Sequence, residues 1–201
     1  MIDYFEEFNK KLANKGCNIE IVKSNILKCK MNYSFELFEF GISEEMKYIY
    51  NNYKRYMLSW EEKAQKLSGY INFIPYENIL RENKELCELA ESMDKDLIEN
   101  QDAVINDLKH WYPIFSFANG DAFCYDKRNG KVVFFEHEVF DTGVNLNGFV
   151  IADTVDSLLE KWSKILFVDI YDWYEGVNEH GIDLSKPVYE KIMQINEKLS
   201  V

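Results

Sequence analysis

The stretch from Tyr112 to Glu138 limits the fold of this chain more than any other. Three runs rich in Phe, Val and Tyr, covering Tyr112–Ala118, Asp121–Asp126 and Lys131–Glu138, are separated by Asn119-Gly120 and by Lys127-Arg128-Asn129-Gly130. Asn and Gly both tolerate positive φ, and a two-residue hairpin turn demands it. The spacing therefore predicts consecutive antiparallel strands over residues 112–138. With 14 Phe, 13 Tyr and 4 Trp, aromatics make up 15% of the 201 residues, a supply that suits half-buried sheet surfaces.

Helical periods bracket this region. Ile2, Phe5, Phe8 and Leu12 step by three and four, predicting a short helix over 2–15 that stops at Gly16. Strands are expected at Asn18–Lys23 and Ile26–Met31, broken at Ser24-Asn25, and again at Tyr33–Phe40. Ser43 is placed to cap a helix with Glu44 and Glu45 in its first turn and Met46, Ile49, Tyr50 and Tyr53 on one face. Residues 54–74 fit both periods. The strand reading, with Tyr56, Leu58 and Trp60 alternating, is preferred, pairing with Tyr70–Ile74 across a loop that ends at Ser68-Gly69 and closing at Pro75. Residues 77–110 read as helix in two pieces, one carrying Leu86, Leu89, Ala90, Met93 and Leu97, the other Val104, Ile105 and Leu108. After the loop Asn145–Asn147, Phe149–Ala152 is expected as an edge strand. Asp153 or Thr154 caps a helix striped with Val155, Leu158, Leu159, Trp162 and Leu166, and a last helix starts near Ser185 with Pro187 in its first turn. The sum is an α+β fold: a central, mostly antiparallel β-sheet with flanking N- and C-terminal helices. Residues 1–168 form one domain, with 169–201 a C-terminal helical extension packed on it. Trp60, Trp111 and Trp162 fall in phase with apolar positions and are expected to be buried.

Charge is segregated along the chain. The net charge is −12, yet residues 1–76 carry 11 cations and 10 carboxylates, while residues 77–110 carry 4 against 10 and residues 111–160 carry 3 against 8. Residues 169–183 hold five acids and no Lys or Arg. Phosphate binding needs clustered cations, so nucleic acid is disfavoured as a partner of the acidic half, and a basic protein is favoured. Solvated helix faces that serve only solubility are the competing reading. No apolar run reaches the roughly 18 to 20 residues of a membrane span, and the first residues lack a signal-peptide pattern. Cys17, Cys29, Cys87 and Cys124 are scattered without a CxxC pair, as buried small hydrophobes of a cytoplasmic protein would be.

A search for catalytic chemistry ends without a site. Glu136-His137-Glu138 followed by Asp141 is the best candidate, but a strand sends His137 to the face opposite both glutamates. His137 to Asp141 is not HExxH, and His110 and His180 stand apart. Neither a GxGxxG turn, a P-loop nor a GxSxG elbow occurs, and Asp169, Asp172, Glu175, Glu179 and Asp183 lack the ligand spacing of a calcium loop. No catalytic, cofactor-binding or metal-binding residue is assigned, and no cofactor is expected.

Several runs do resemble a known family. Leu58-Ser59-Trp60-Glu61 with Gly69-Tyr70-Ile71-Asn72-Phe73-Ile74-Pro75 is similar to the SUKH superfamily, named for the yeast cell-wall synthesis regulator and its bacterial relatives. So is the run from Trp111-Tyr112-Pro113-Ile114 through Asn119-Gly120-Asp121, Tyr125-Asp126 and Gly130-Lys131-Val132 to His137-Glu138, and so is Ile151-Ala152-Asp153-Thr154 leading into Leu158-Leu159. The likeness spans residues 35–167. The N-terminal helix departs from the pattern, lacking a Leu-Pro followed by an acidic pair. The resemblance implies an α+β fold without catalytic residues. Bacterial members are immunity proteins that block toxins, often nucleases or deaminases, and eukaryotic members are regulatory interaction proteins. Such a reading expects a basic protein toxin as partner, neither nucleic acid nor membrane, and no set oligomeric state. The carboxylates at the strand ends and turns of the central hairpins, Asp121, Asp126, Glu136, Glu138 and Asp141, are the expected contact residues. A regulatory or scaffold protein of the same fold is the alternative, and a hydrolase or metal enzyme using His137 with nearby carboxylates is a further one.

Overall fold

The computed structural model describes residues 2–13, 18–38, 41–92, 106–137, 146–170 and 173–199. The central hairpins form where the spacing predicts. Strands β4 (Trp111–Ser116), β5 (Ala122–Asp126) and β6 (Val132–Phe135) pair antiparallel, with Phe115 opposite Phe123 and Phe123 opposite Phe134, and no helix interrupts them. Gly120 and Gly130 turn the chain at φ of 100° and 77°. All residues of β5 and β6 are buried, because both sheet faces are covered. One face joins the main core. The other packs Trp111, Ala122, Cys124, Val133 and Phe135 against Leu86 and Leu108.

Around these strands the sheet grows to nine, in the order β1-β2-β3-β4-β5-β6-β7-β9-β8, with every pairing antiparallel. Strands β1 (Ile19–Lys28), β2 (Tyr53–Glu62) and β3 (Leu67–Phe73) make up the N-terminal side. Helix α1 (Tyr4–Ala13) buries Phe5, Phe8 and Leu12, and α2 (Glu44–Asn52) buries Met46, Ile49 and Tyr50 after Ser43, whose hydroxyl accepts from the Met46 N–H. Helix α3 (Tyr76–Ser92) follows β3. Strand β7 (Val150–Ala152) leads through the Thr154–Ser157 capping box into α4 (Val155–Lys164), whose buried stripe is Val155, Leu158, Leu159 and Trp162. The chain closes with β8 (Val177–Asn178), β9 (Gly181–Ile182) and α5 (Glu190–Leu199). An α+β architecture with flanking helices is the result.

Four local expectations are corrected. Asn18–Lys23 and Ile26–Met31 do not form two strands; Ile19–Lys28 is one strand, because β2 pairs with it unbroken through Ser24-Asn25, and the irregularities fall at Val22 and between Leu27 and Lys28 instead. Tyr33–Phe40 is not a strand over its described residues. Phe35 adopts φ of 58°, and the rings of Tyr33 and Phe35 gather around Tyr76 at 4.8 and 5.2 Å, which buries them without a ladder. Ser68-Gly69 belongs to β3, the turn having closed by Lys66. Finally, β7 is not an edge: β6 flanks it on one side and β9 on the other. The expected C-terminal helix begins with a 3-10 turn at Pro187–Tyr189, and the segment before it supplies a 3-10 turn at Trp173–Gly176 as well as β8 and β9. The expected stop at Gly16 and the apolar positions Ala90, Met93, Leu97, Val104 and Ile105 lie outside the described residues or side chains.

Two indoles fix the turn after α4, one of them from the other half of the chain. The Trp60 Nε1–H donates to the Leu166 carbonyl at 2.9 Å, and the Trp162 Nε1–H donates to the Val168 carbonyl at 2.9 Å. Both donors fix a turn in which Leu166 and Phe167 take φ of 54° and 52°, values that bulky side chains rarely adopt. Gly69 lies directly beneath. A Cβ there would sit 2.1 Å from Trp60 Nε1 and 2.8 Å from the Phe167 carbonyl oxygen. Trp60, Trp111 and Trp162 are all within 1% of full burial, as their phase predicts.

Gly69→Ala should therefore be destabilising by about 1–3 kcal/mol, the usual cost of overpacking. Leu80→Ala, at a side chain 62% exposed, should stay within about 0.5 kcal/mol of the parent. Urea unfolding of the two variants checks the contrast, and an equal, small loss in both would contradict the close approach.

Candidate functional site

Of the five expected carboxylates, the three that are described, Asp121, Asp126 and Glu136, do not form one surface. Asp121 precedes β5 and Asp126 ends it, so a strand of five residues at about 3.3 Å per residue holds them at opposite ends of the sheet. Glu138 and Asp141 lie outside the described residues.

Asp126 serves the fold. It is 1% exposed, and its carboxylate takes the Arg128 guanidinium through Nε at 2.9 Å and Nη2 at 2.6 Å, together with the Arg128 backbone N–H at 2.9 Å. Burial pushes this carboxyl up, but pairing with Arg128 outweighs it, leaving the group below the ordinary aspartate range. Arg128 reaches on to Asp107, tying the hairpin turn to the chain before β4. Such burial removes Asp126 from the carboxylates that a partner can touch.

At the other end, Asp121 is 9% exposed and also works inward. Its Oδ1 accepts from the His137 backbone N–H at 2.9 Å and lies 2.8 Å from His137 Nδ1; its Oδ2 accepts from Asn119 Nδ2 at 2.6 Å. The His137 ring packs over Gly120, where a Cβ would come within 3.1 Å of its Cγ. A carboxylate that fixes an imidazole is a geometry general bases use. Here the same oxygen also holds the backbone N–H, so the pair clasps the β4–β5 turn to the end of β6. Glu136 accepts from the Leu146 N–H at 3.1 Å, while Asn147 brackets its backbone. Sequence reasoning set His137 against its immediate neighbours; the true partner is sixteen residues back, across two strands. Among the described residues no group of three or more His, Cys, Asp or Glu could hold a metal ion.

Asp169 belongs to the acidic, aromatic segment 169–183 and not to the five expected carboxylates. Following the Trp60–Leu166 turn, Val168 bridges to Gly69 and the Asp169 N–H donates to the Ser68 carbonyl at 3.2 Å. That path sets its exposed side chain in the field of Asp121. Loss of hydration among the surrounding groups, with repulsion from Asp121, pushes the Asp169 carboxyl up to about 6. Trp173 then buries its ring 4.9 Å from Phe123 and 6.1 Å from Phe117, which anchors Tyr174, 40% exposed, and the exposed Glu175 after it. The only signal in the sequence was the acidic, aromatic composition of 169–183. Its Glu179 and Asp183 belong to the β8–β9 hairpin, where His180 Nδ1 lies 3.1 Å from Asp153.

Along its length the chain matches no family model, no curated protein and no solved structure. No described helix is long and apolar enough to cross a membrane.

Two outcomes test this geometry. Because the folded-state value of Asp169 is raised above the unfolded value, its contribution to stability is fully present below about pH 4 and lost as pH rises through about 6. The gain in melting temperature from Asp169→Asn should accordingly be larger at pH 7.5 than at pH 4; an equal difference at both would refute the shift. Asp126 has the opposite sign, since its value is lowered and its stabilisation is present at neutral pH and lost in acid. Asp126→Asn should cost about 1.5–3 kcal/mol at pH 7, as loss of hydrogen bonds to a charged group does, and progressively less below pH 4.

Proposed function

We propose that this chain is a non-catalytic protein-binding domain of the SUKH type, an immunity protein that neutralises a basic toxin of nuclease or deaminase class. The observation that carries the reading is that Asp169, Tyr174 and Glu175 are all exposed within a segment, 169–183, that holds five acids and no Lys or Arg, with the Asp121 charge acting on Asp169. Ionisation there costs free energy, and a cationic partner would relieve it. An exposed aromatic among carboxylates suits such a partner, the ring supplying an anchor and the charges steering approach. The interface accordingly centres on Asp169, Tyr174 and Glu175, with Glu136 at its border, and not on Asp121 and Asp126, which are occupied within the fold. The resemblance of residues 35–167 to the superfamily supports the same reading, as does a net charge of −12.

The test is association with the product of the neighbouring toxin gene, followed by stopped flow across a salt series. The variant Asp169→Asn with Glu175→Gln should slow association several-fold at low salt and flatten its salt dependence, because screening acts over about 8 Å at physiological ionic strength. An unchanged rate and slope would remove this surface. Absence of any binding to that product would favour a regulatory protein of the same fold.

A further inference from the structure

The β1 edge of the sheet carries cations in a protein that is acidic overall. Strand β1 is the first of the nine and pairs only with β2, so among the described residues its outer row of N–H and C=O groups faces no strand. Nearly all of its side chains are exposed, including Ile21 at 47%, Val22 at 55% and Leu27 at 51%. The two strands with their flanks, residues 19–31 and 53–66, hold seven cations and three carboxylates, in a protein whose net charge is −12. Lys28 pairs with Glu6 and Lys63 with Glu20, whereas the exposed Lys23, Lys30, Lys54 and Arg55 make no ion pair among the described residues.

Register sorts these groups by face. Ile21, Ser24 and Ile26 lie opposite Trp60, Leu58 and Tyr56, which point into the core. Lys23, Asn25 and Leu27 lie opposite Ser59, Met57 and Arg55, on the other face. A strand added outside β1 would thus meet Ile21, Ser24 and Ile26 on the core-facing side; on the reverse it would meet Lys23, Asn25, Leu27 and a Glu20 already paired with Lys63, with Arg55 one strand further in. At the C-terminal end of β1 a cleft of about 310 Å³ opens between Asp3, Lys28, Lys30, Tyr48 and Tyr53.

We propose that the β1 edge accepts an extended segment of a partner protein in which apolar residues alternate with Asp or Glu, added antiparallel or parallel as a tenth strand. Main-chain hydrogen bonds supply affinity, and the alternation supplies specificity through Ile21 and Ile26 on one face and Lys23 and Arg55 on the other. This proposal does not rest on the one made for Asp169, Tyr174 and Glu175, so either can fail without the other.

A labelled ten-residue peptide of alternating Val and Glu is the probe, titrated into the full chain by fluorescence anisotropy and followed by amide hydrogen exchange. The expected result is saturable binding with new protection over residues 19–28. Binding should be lost for the same peptide with Lys in place of Glu and for one N-methylated at alternate residues. Lys23→Glu with Arg55→Glu should weaken it by about tenfold or more, as reversal of complementary charges does. No binding, binding without protection at 19–28, or equal binding of the Lys peptide would overturn the proposal. Protection over 19–28 that grows with protein concentration in the absence of peptide would overturn it in favour of a second copy on this edge.

Discussion

The hydrogen bond from the Trp60 indole to the Leu166 carbonyl, with Gly69 closed beneath it, is the contact on which the remaining arrangement depends. It joins β2 and β3 to the end of α4, residues that are 106 apart in the chain. An indole N–H buried in an aromatic core must find an acceptor, and a helix end has carbonyls to spare. Meeting both needs with one bond forces Leu166 and Phe167 into left-handed backbone, and that turn is tolerable only because Trp162 holds its far side at Val168. Around it the rings of Phe115, Phe123 and Phe167 stand edge-on to Trp162 at 5.3, 4.9 and 5.1 Å.

That turn also places the next residues of the chain. Val168 and Asp169 run beside Ser68 and Gly69, and Asp169 arrives next to the Asp121–His137 clasp. The position of Asp169 is therefore set by packing around Trp60 and Gly69, and the charge of Asp121 acts on it there. Both hairpin turns are stiffened by aspartates acting inward, one through Arg128 and one through His137, so the exposed groups beyond them keep their positions.

Charge is organised on a larger scale than single pairs. The basic β1–β2 hairpin occupies one edge of the sheet, while the acidic segment beginning at Asp169 starts beside β3 and ends in β8 and β9 at the other edge. Uneven charge of this sort orients an approaching protein. The exposed ion pairs on helix faces, such as Lys84 with Glu88 and Lys164 with Glu160, contribute little beyond solubility.

Much of the fold was legible because it rests on local rules. Two Asn-Gly turns need positive φ, Ser43 and Thr154 cap helices with their own hydroxyls, and three-residue and four-residue apolar steps turn one helix face inward. Those determine the hairpins, the helix starts and the burial of Trp60, Trp111 and Trp162 from sequence alone. Period failed where a partner decided the outcome: β1 runs unbroken because β2 pairs with it, and Tyr33, Phe35 and Leu37 abandon a strand because Tyr76 offers burial by other means. The candidate site was the least legible part. Which carboxylates stay exposed depends on contacts such as Arg128 folding back on Asp126, and the closeness of Asp121 and Asp169 spans 48 residues that no spacing rule connects. Local backbone preference is written residue by residue, whereas the field at a carboxylate is a sum over whatever the tertiary fold brings near it.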